Sequence, residues 1–242
     1  MSDGMSITIT EGGPYIVRGN VPLFEKRIVR RDGLYVWEDV REIPHGETYA
    51  LCRCGKTRDA PFCDGGSHKR FKGKEKADRR PYAERCQRIE GPGMVIGDDL
   101  RCSLSRFCHR ADGTPWKMLP RSDDLGIRDE IVRAVVECPS GRLSIIEDGE
   151  PTDYVPDPAI WVVQDPENRV SGGLYVMGGI PIVGSDGFVY ESRGRTVLCR
   201  CGVSVLRRVP HQQHVQGRPQ QKIKRGPGPL FRLCFTRGAC GR

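Results

Sequence analysis

The run CRCGKTRDAPFCDGGSH, residues 52–68, limits what this chain can fold into more than any other feature. It places Cys52, Cys54, Cys63 and His68 with the spacing C-x-C-x8-C-x4-H. Thiolates are the usual ligands of iron–sulfur clusters, and a histidine in place of a cysteine raises the reduction potential. The glycines within the run let backbone N–H groups approach such a group closely. The run therefore predicts a cluster or metal site.

This segment resembles the CDGSH iron–sulfur family, whose motif is C-x-C-x2-(S/T)-x3-P-x-C-D-G-(S/A/T)-H. The matching positions are Cys52, Cys54, Thr57, Pro61, Cys63, Asp64, Gly65 and His68. The resemblance implies a [2Fe–2S] cluster held by the three cysteines and the histidine, with redox or cluster-transfer activity. The chain departs from the motif by one extra residue, Gly66, and a glycine insertion can bulge with little strain.

Other functions suit the same residues. Three cysteines and a histidine also suit tetrahedral zinc, as in a structural zinc-binding interaction module. The C-x-C spacing is tighter than the usual zinc knuckle and favours the cluster. A third class is an enzyme in which the cluster serves a substrate site. The sequence contains no clear nucleophile–base set and no phosphate- or dinucleotide-binding glycine signature, so we expect no enzyme activity.

Two segments of the chain repeat the same order of motifs. They read GPYIVRGNVPL (13–23), DGLYVWE (32–38) and TYALCRCG (48–55), then GLYVMGGIPIV (173–183), DGFVYES (186–192) and TVLCRCG (196–202). The β-branched and aromatic residues, broken by Gly, Pro and Asp-Gly, predict short antiparallel strands joined by tight turns. The second repeat ends in Cys199 and Cys201 without the rest of the motif, so we interpret this pair as a remnant site. Because CDGSH domains commonly pair their β elements about a two-fold axis, the resemblance implies an internal pseudo-dimer or a homodimer.

A different unit, called the middle unit below, spans about residues 81–150. Cys102 and Cys108 are separated by five residues, and Cys138-Pro139 follows thirty residues later. With the run CPSGRL after a helix, this unit resembles the divergent single-cluster ferredoxin domain found beside CDGSH domains in some microbial proteins. Ser105 stands where the middle cysteine of a ferredoxin would be.

The resemblance implies a second cluster on Cys102, Cys108 and Cys138. Three cysteines suit a [3Fe–4S] cluster, or a [4Fe–4S] cluster with another fourth ligand, for which Cys86 and His109 are candidates. The alternative is three ordinary buried thiols.

One helix and one strand are predicted most clearly around this unit. The helix covers residues 126–137, because Ile127, Ile131, Ala134 and Val135 fall on one helical face. It stops before Pro139, which disfavours helical backbone in the residue that precedes it. A strand is predicted at residues 160–163.

These features predict a mainly β fold with a small α+β insert, in which two CDGSH-type β-rich repeats flank a ferredoxin-like domain. The predicted boundaries are 1–80 for the CDGSH domain, 81–150 for the ferredoxin-like domain, 151–202 for the incomplete second repeat and 203–242 for a basic tail. Residues 203–242 lack periodicity and acidic residues and carry nine of the 39 Lys and Arg. We interpret them as disordered or as a non-native end.

The net charge of +8 is a property of this tail, because the other residues carry 30 basic side chains (39 minus nine) against 31 acidic ones. Nucleic acid is therefore not expected as a partner. The start MSDGMSITIT lacks the pattern of a secretory signal, and no apolar run approaches the roughly 20 residues of a membrane span. Closely spaced cysteines in a reducing compartment are typical of metal ligands. We expect a cytoplasmic protein that transfers electrons or clusters to a redox partner or cluster acceptor protein.

Overall fold

The computed structural model describes residues 4–69, 71–73 and 77–202, so the predictions for residues 203–242 lie outside it. The prediction of a mainly β fold is confirmed. The strands are β1 (Ser6–Ile9), β2 (Tyr15–Arg18), β3 (Leu23–Arg31), β4 (Leu34–Glu42), β5 (Tyr49–Leu51), β6 (Gln87–Glu90), β7 (Val95–Asp98), β8 (Leu143–Glu147), β9 (Glu150–Pro151), β10 (Ala159–Asp165), β11 (Val170–Met177), β12 (Ile182–Val183) and β13 (Arg195–Leu198). The helices are α1 (Tyr82–Arg85), α2 (Pro115–Met118) and α3 (Leu125–Val136), with a 3-10 turn at Leu119–Arg121. Among the described residues, no helix has both the length and the apolar character needed to cross a membrane.

Two of the three sheets have equivalent strand orders, and each contains one strand from the other repeat. The first sheet runs β12-β1-β2-β5, and the second contains β3-β10-β11-β13, with β4 added beside β3. In each sheet the exchanged strand pairs in parallel, β12 with β1 and β3 with β10, while the other neighbours are antiparallel. The first repeat (β1–β5) and the second repeat (β10–β13) each therefore lend one strand to the sheet of the other.

The strand register corrects the alignment of the two repeats by one residue. Equivalent cross-strand pairs are Ile7 with Val17 and Ile160 with Val176, and Tyr15 with Leu51 and Leu174 with Leu198. Tyr15 is therefore equivalent to Leu174, although the repeated sequence motif aligns it with Tyr175. Because successive side chains of a strand point to opposite faces, Tyr15 and Tyr175 lie on opposite faces of their sheets.

The main core lies between the first and second sheets. Its side chains alternate along the strands of both repeats, as expected for sheets with one buried face. The most buried members, at most 1% exposed, are Ile7, Val17, Val21, Leu23, Leu51, Ile160, Leu174 and Val176. Cys52 follows β5 and Cys199 follows β13, so both C-x-C pairs emerge from this packed double layer.

The middle unit has its own sheet and core. Its antiparallel sheet, β6-β7-β8-β9, packs against α2 and α3. The helix predicted at 126–137 is observed as α3, which buries Ile131, Ala134 and Val135. The Asp124 carboxylate accepts hydrogen bonds from the N–H groups of Gly126 and Ile127 and caps the helix N-terminus. The strand predicted at 160–163 lies within β10.

Candidate metal centres

The first candidate centre is built at the end of β5. The N–H of Cys52 donates to the Pro61 carbonyl, and the N–H of Cys63 donates to the Ala50 carbonyl, each at 2.8 Å. These two bonds continue the strand pairing past β5. They place Cys63, nine residues after Cys54, near the Cys52 and Cys54 pair.

The four predicted ligands are brought together as two pairs. The Sγ atoms of Cys52 and Cys54 lie 3.7 Å apart, and the Sγ of Cys63 lies 3.3 Å from Nδ1 of His68. Cys52 and Cys54 are buried, at 4% exposure each, whereas Cys63 and His68 are half-buried. Within the described ranges, no three or more His, Cys, Asp or Glu side chains form a set that could hold a single metal ion.

Burial raises the pKa of the Cys54 thiol, and the neighbouring sulfurs of Cys52 and Cys63 raise it further, against a backbone hydrogen bond from Lys56. Crowded thiols of this kind resist ionisation on their own. A bound cation removes that resistance, since a coordinating thiol is deprotonated outright. The donor set therefore fits an iron–sulfur group.

Asp64 holds the turn that leads to His68. Its carboxylate accepts hydrogen bonds from the N–H groups of Arg58, Gly66 and Ser67, and from the Ser67 hydroxyl at 2.6 Å. The Ser67 bonds, followed by those from Arg58 and Gly66, lower the pKa of Asp64 and keep it ionised. The extra Gly66 lies inside this capped turn, and Nδ1 of His68 still faces Cys63.

The remnant pair packs directly against the first centre. The Sγ atoms of Cys199 and Cys201 lie 3.1 Å apart. A Cβ added to Gly202 would lie 2.2 Å from the Cys54 carbonyl oxygen, and one added to Gly55 would lie 2.8 Å from the Cys201 carbonyl oxygen. The two C-x-C-G loops are therefore in reciprocal backbone contact.

The arginine inside each C-R-C run was not predicted as a functional residue. Arg53 donates to the Thr10 carbonyl at 3.1 Å, and Arg200 donates to the Gly172 carbonyl at 2.7 Å; both side chains are buried. Burial lowers the pKa of Arg200 to about 10, opposed chiefly by the charge of Cys52. The second repeat thus places a cation near the first centre, and the repeated arginine was the signal for it.

In the second candidate centre, Cys102, Cys108 and Cys138 lie close enough to interact electrostatically. Cys138 follows α3, and the other two lie in the loop after β7. Burial, with smaller contributions from the charges of Cys138 and Cys102, raises the pKa of Cys108 to about 12. Burial also raises the pKa of Cys102, and Cys138 adds to this effect, whereas the Arg142 charge opposes it. Thiols that resist ionisation in this way suit a bound cationic centre, because a coordinating thiol is deprotonated outright.

A buried ion pair supports this second centre. Arg142 donates to the Asp98 carboxylate at 2.6 and 2.7 Å, and Trp116 donates to the same group at 3.1 Å. Burial alone would lower the pKa of Arg142, but the Asp98 hydrogen bonds and the nearby Cys102 raise it overall. Neither Asp98 nor Arg142 was predicted as a functional residue, although a charged residue at the end of β7 and another just before β8 were a signal.

Ser105, Cys86 and His109, which the sequence also associates with the second centre, each contact other groups. The Ser105 hydroxyl is buried, 2.8 Å from the Ser103 hydroxyl and 2.5 Å from that of Tyr175. The Cys86 sulfur donates weakly to the Ala83 carbonyl at 3.8 Å, and the His109 ring meets Tyr35 edge-on, with 6.4 Å between centroids. The assignment of Cys86 or His109 as a fourth ligand stays a prediction.

Comparison with known families matches both centres. A family model described as iron-binding zinc finger CDGSH type matches residues 12–69, which contain all four donors of the first centre. A model described as divergent 4Fe-4S mono-cluster matches residues 89–148, which contain the three cysteines of the second. No curated protein and no solved structure matches the chain. The two matches support an iron–sulfur protein in which a CDGSH-type segment, residues 12–69, is followed by a mono-cluster iron–sulfur segment, residues 89–148.

Proposed function

We propose that Cys52, Cys54, Cys63 and His68 hold a [2Fe–2S] cluster and that the chain works in electron transfer or cluster transfer. The observation that carries this proposal is the grouping of the donors into a sulfur–sulfur pair and a sulfur–imidazole pair. A two-iron cluster gives each iron two protein ligands, whereas a zinc site gathers all four donors around one ion. When bound, the cluster would accept and release one electron, at a potential raised by the histidine.

The four candidate ligands differ in exposure, so a partner protein would have access to the cluster from the side of Cys63 and His68. Cys52 and Cys54 are buried against the main core and would hold their side of the cluster firmly. Cys63 and His68 are half-buried in an exposed loop that Asp64 stabilises. A redox partner or cluster acceptor protein would approach from this side.

The mono-cluster domain, residues 89–148, would hold a second cluster through Cys102, Cys108 and Cys138. We propose a [3Fe–4S] or [4Fe–4S] cluster there. Arg142 supports the assignment, because it lies beside Cys102 and is itself fixed by Asp98. A guanidinium at this place would offset negative charge on the thiolates.

The remaining features of the proposal concern assembly and location. The exchange of β3 and β12 between the repeats supports an internal pseudo-dimer within one chain. We propose that the chain acts in the cytoplasm as a carrier, with no catalytic step of its own.

Electron paramagnetic resonance of the chain, recorded in both the oxidised and the reduced state, tests the ligand assignment. We expect Cys63→Ser to remove the [2Fe–2S] signal and leave the second cluster's signal, and Cys138→Ser to do the reverse. Cys86→Ser serves as the control for the first centre and should keep the [2Fe–2S] signal. A full [2Fe–2S] signal in Cys63→Ser would contradict the assignment.

A further inference from the structure

The outer face of the second sheet differs from the same face of the first. In the second sheet it carries Trp161, Tyr175, Met177, Arg195 and Val197; at the equivalent positions the first carries Thr8, Ile16, Arg18, Thr48 and Ala50. Tyr175, Met177 and Arg195 are buried, whereas Arg18 and Thr48 are exposed. The second sheet therefore has a covered outer face.

The loop between Cys102 and Cys108 covers part of this face. Phe107 stacks on Trp37 of β4, with ring centroids 4.5 Å apart. Arg106 donates to the Asp165 carboxylate at 2.8 and 3.0 Å. The contact between the Ser105 and Tyr175 hydroxyls completes the attachment. Ser105, Arg106 and Phe107 thus each contact a residue of the second sheet.

Arg195, on the same outer face, contacts the segment that contains Cys138. Its Nη1 lies 2.8, 2.5 and 3.0 Å from the carbonyl oxygens of Val135, Val136 and Cys138. The first two carbonyls belong to the last turn of α3, which carries the negative end of the helix dipole. The Val135 carbonyl also accepts from the N–H of Cys138 at 3.2 Å. The buried guanidinium of Arg195 therefore donates hydrogen bonds both to the carbonyls at the end of α3 and to the carbonyl of Cys138.

The backbone of Arg195 clamps the same loop from its other end. Gly141, three residues after Cys138, has a φ of +61°, and a Cβ on it would lie 2.5 Å from the Arg195 carbonyl oxygen. The glycine of the CPSG run is therefore required by the close approach of β13. The Cys138–Gly141 turn is held by the side chain and the main chain of one residue.

We propose that Arg195 of the incomplete second repeat is a positioning residue of the mono-cluster site, which fixes the turn that presents Cys138. The inference rests on the proposed role of Cys138 as a cluster ligand. It gives the second repeat a function that needs no cluster of its own, namely to hold the ligand segments of its neighbour.

Arg195→Lys and Arg195→Gln test this role in the full chain. Replacement of a residue that orients a metal ligand typically costs 10- to 100-fold in affinity. We expect a chelator to remove the second cluster about tenfold faster from both variants, while the [2Fe–2S] signal persists and reports an intact double sheet. Arg200→Lys is the matched control, because Arg200 is also buried in this repeat but donates to Gly172. It should leave the second cluster's loss rate unchanged.

Alkylation of Cys138 in cluster-free protein gives a readout that does not depend on bound iron. Cys138 is only 8% exposed, so mass spectrometry should show slow modification in the parent chain and faster modification in Arg195→Lys. Equal cluster-loss and alkylation rates in the parent chain and both Arg195 variants would overturn the positioning role. A parent chain without any second-cluster signal, but with faster Cys138 alkylation in the variants, would overturn the ligand proposal and retain the structural contact.

Discussion

Gly202 lies so close to Cys54 that a Cβ on the glycine would come within 2.2 Å of the cysteine's carbonyl oxygen. Because atoms at that distance overlap, the backbone of the second repeat sets the space available to the C-x-C loop of the first. The shape of the first candidate centre therefore depends on the C-x-C-G loop of the second repeat, which contains Cys199 and Cys201 and lies far away in the sequence.

Gly202→Ala should reduce cluster loading at the first centre. Gly187→Ala is a matched control, because both glycines have positive φ (73° and 86°), but a Cβ on Gly187 meets nothing within 4 Å. Both alanines should pay about 1 kcal/mol for the left-handed backbone. Only Gly202→Ala should also lower the [2Fe–2S] absorbance per chain. Equal absorbance and equal urea midpoints in the two variants would count against the proposed contact.

The spacing of the four candidate ligands and the helix α3 could be read from the sequence, because both depend on nearby residues. The turn that carries Asp64, Gly65 and Gly66 acts over a few residues, and its capping explains how His68 still reaches Cys63. The helix α3 likewise follows from its apolar period and its Asp124 cap. Such features need no knowledge of distant segments.

The exchange of β3 and β12 was not predictable from the repeats, because it depends on pairing between segments more than a hundred residues apart. The one-residue shift that turns Tyr175 to the outer face was hidden for the same reason. Arg195 looked like an ordinary strand arginine. Its role depends on the carbonyl groups at the end of α3, which only the tertiary structure brings to it.

His68→Cys should keep the cluster and lower its reduction potential, because a thiolate donates more negative charge to iron than an imidazole does. His45→Gln controls for a histidine change elsewhere, since the His45 ring packs on Tyr49. Potentiometric titration of the visible bands measures the effect. The same potential in His68→Cys and the parent chain would exclude His68 as a ligand.

Asp165→Asn should weaken attachment of the mono-cluster domain in a pH-dependent way. Burial would raise the pKa of Asp165, but hydrogen bonds from Arg106 and Asn168 lower it overall. The carboxylate's stabilising contribution is therefore complete above the unfolded-state pKa of about 3.9 and is lost as the pH falls through the lower folded value. We expect Asp165→Asn to cost about 2 kcal/mol at neutral pH, with a gap that narrows in acid. Urea unfolding followed by tryptophan fluorescence measures this gap, and a gap independent of pH would contradict the prediction.

Phe107→Ala should destabilise the chain by about 3–5 kcal/mol, because Phe107 is 4% exposed and stacked on Trp37. Phe188→Ala removes a half-buried ring from a looser pair with Tyr190, whose centroids lie 5.1 Å apart. This control should cost only about 1 kcal/mol. Denaturant unfolding of both variants checks the difference, and similar costs would mean that Phe107 does not anchor the domain.

Iron, acid-labile sulfide and zinc analysis of the anaerobically purified chain, read with its visible spectrum, tests the central claim most directly. The two-pair arrangement of Cys52, Cys54, Cys63 and His68 predicts iron and sulfide with visible absorption bands. Cys63→Ser should lower the iron and sulfide content per chain and remove the bands of the [2Fe–2S] cluster, while those of the second cluster remain. A colourless chain that contains zinc and no sulfide, even after reconstitution with iron and sulfide, would contradict it.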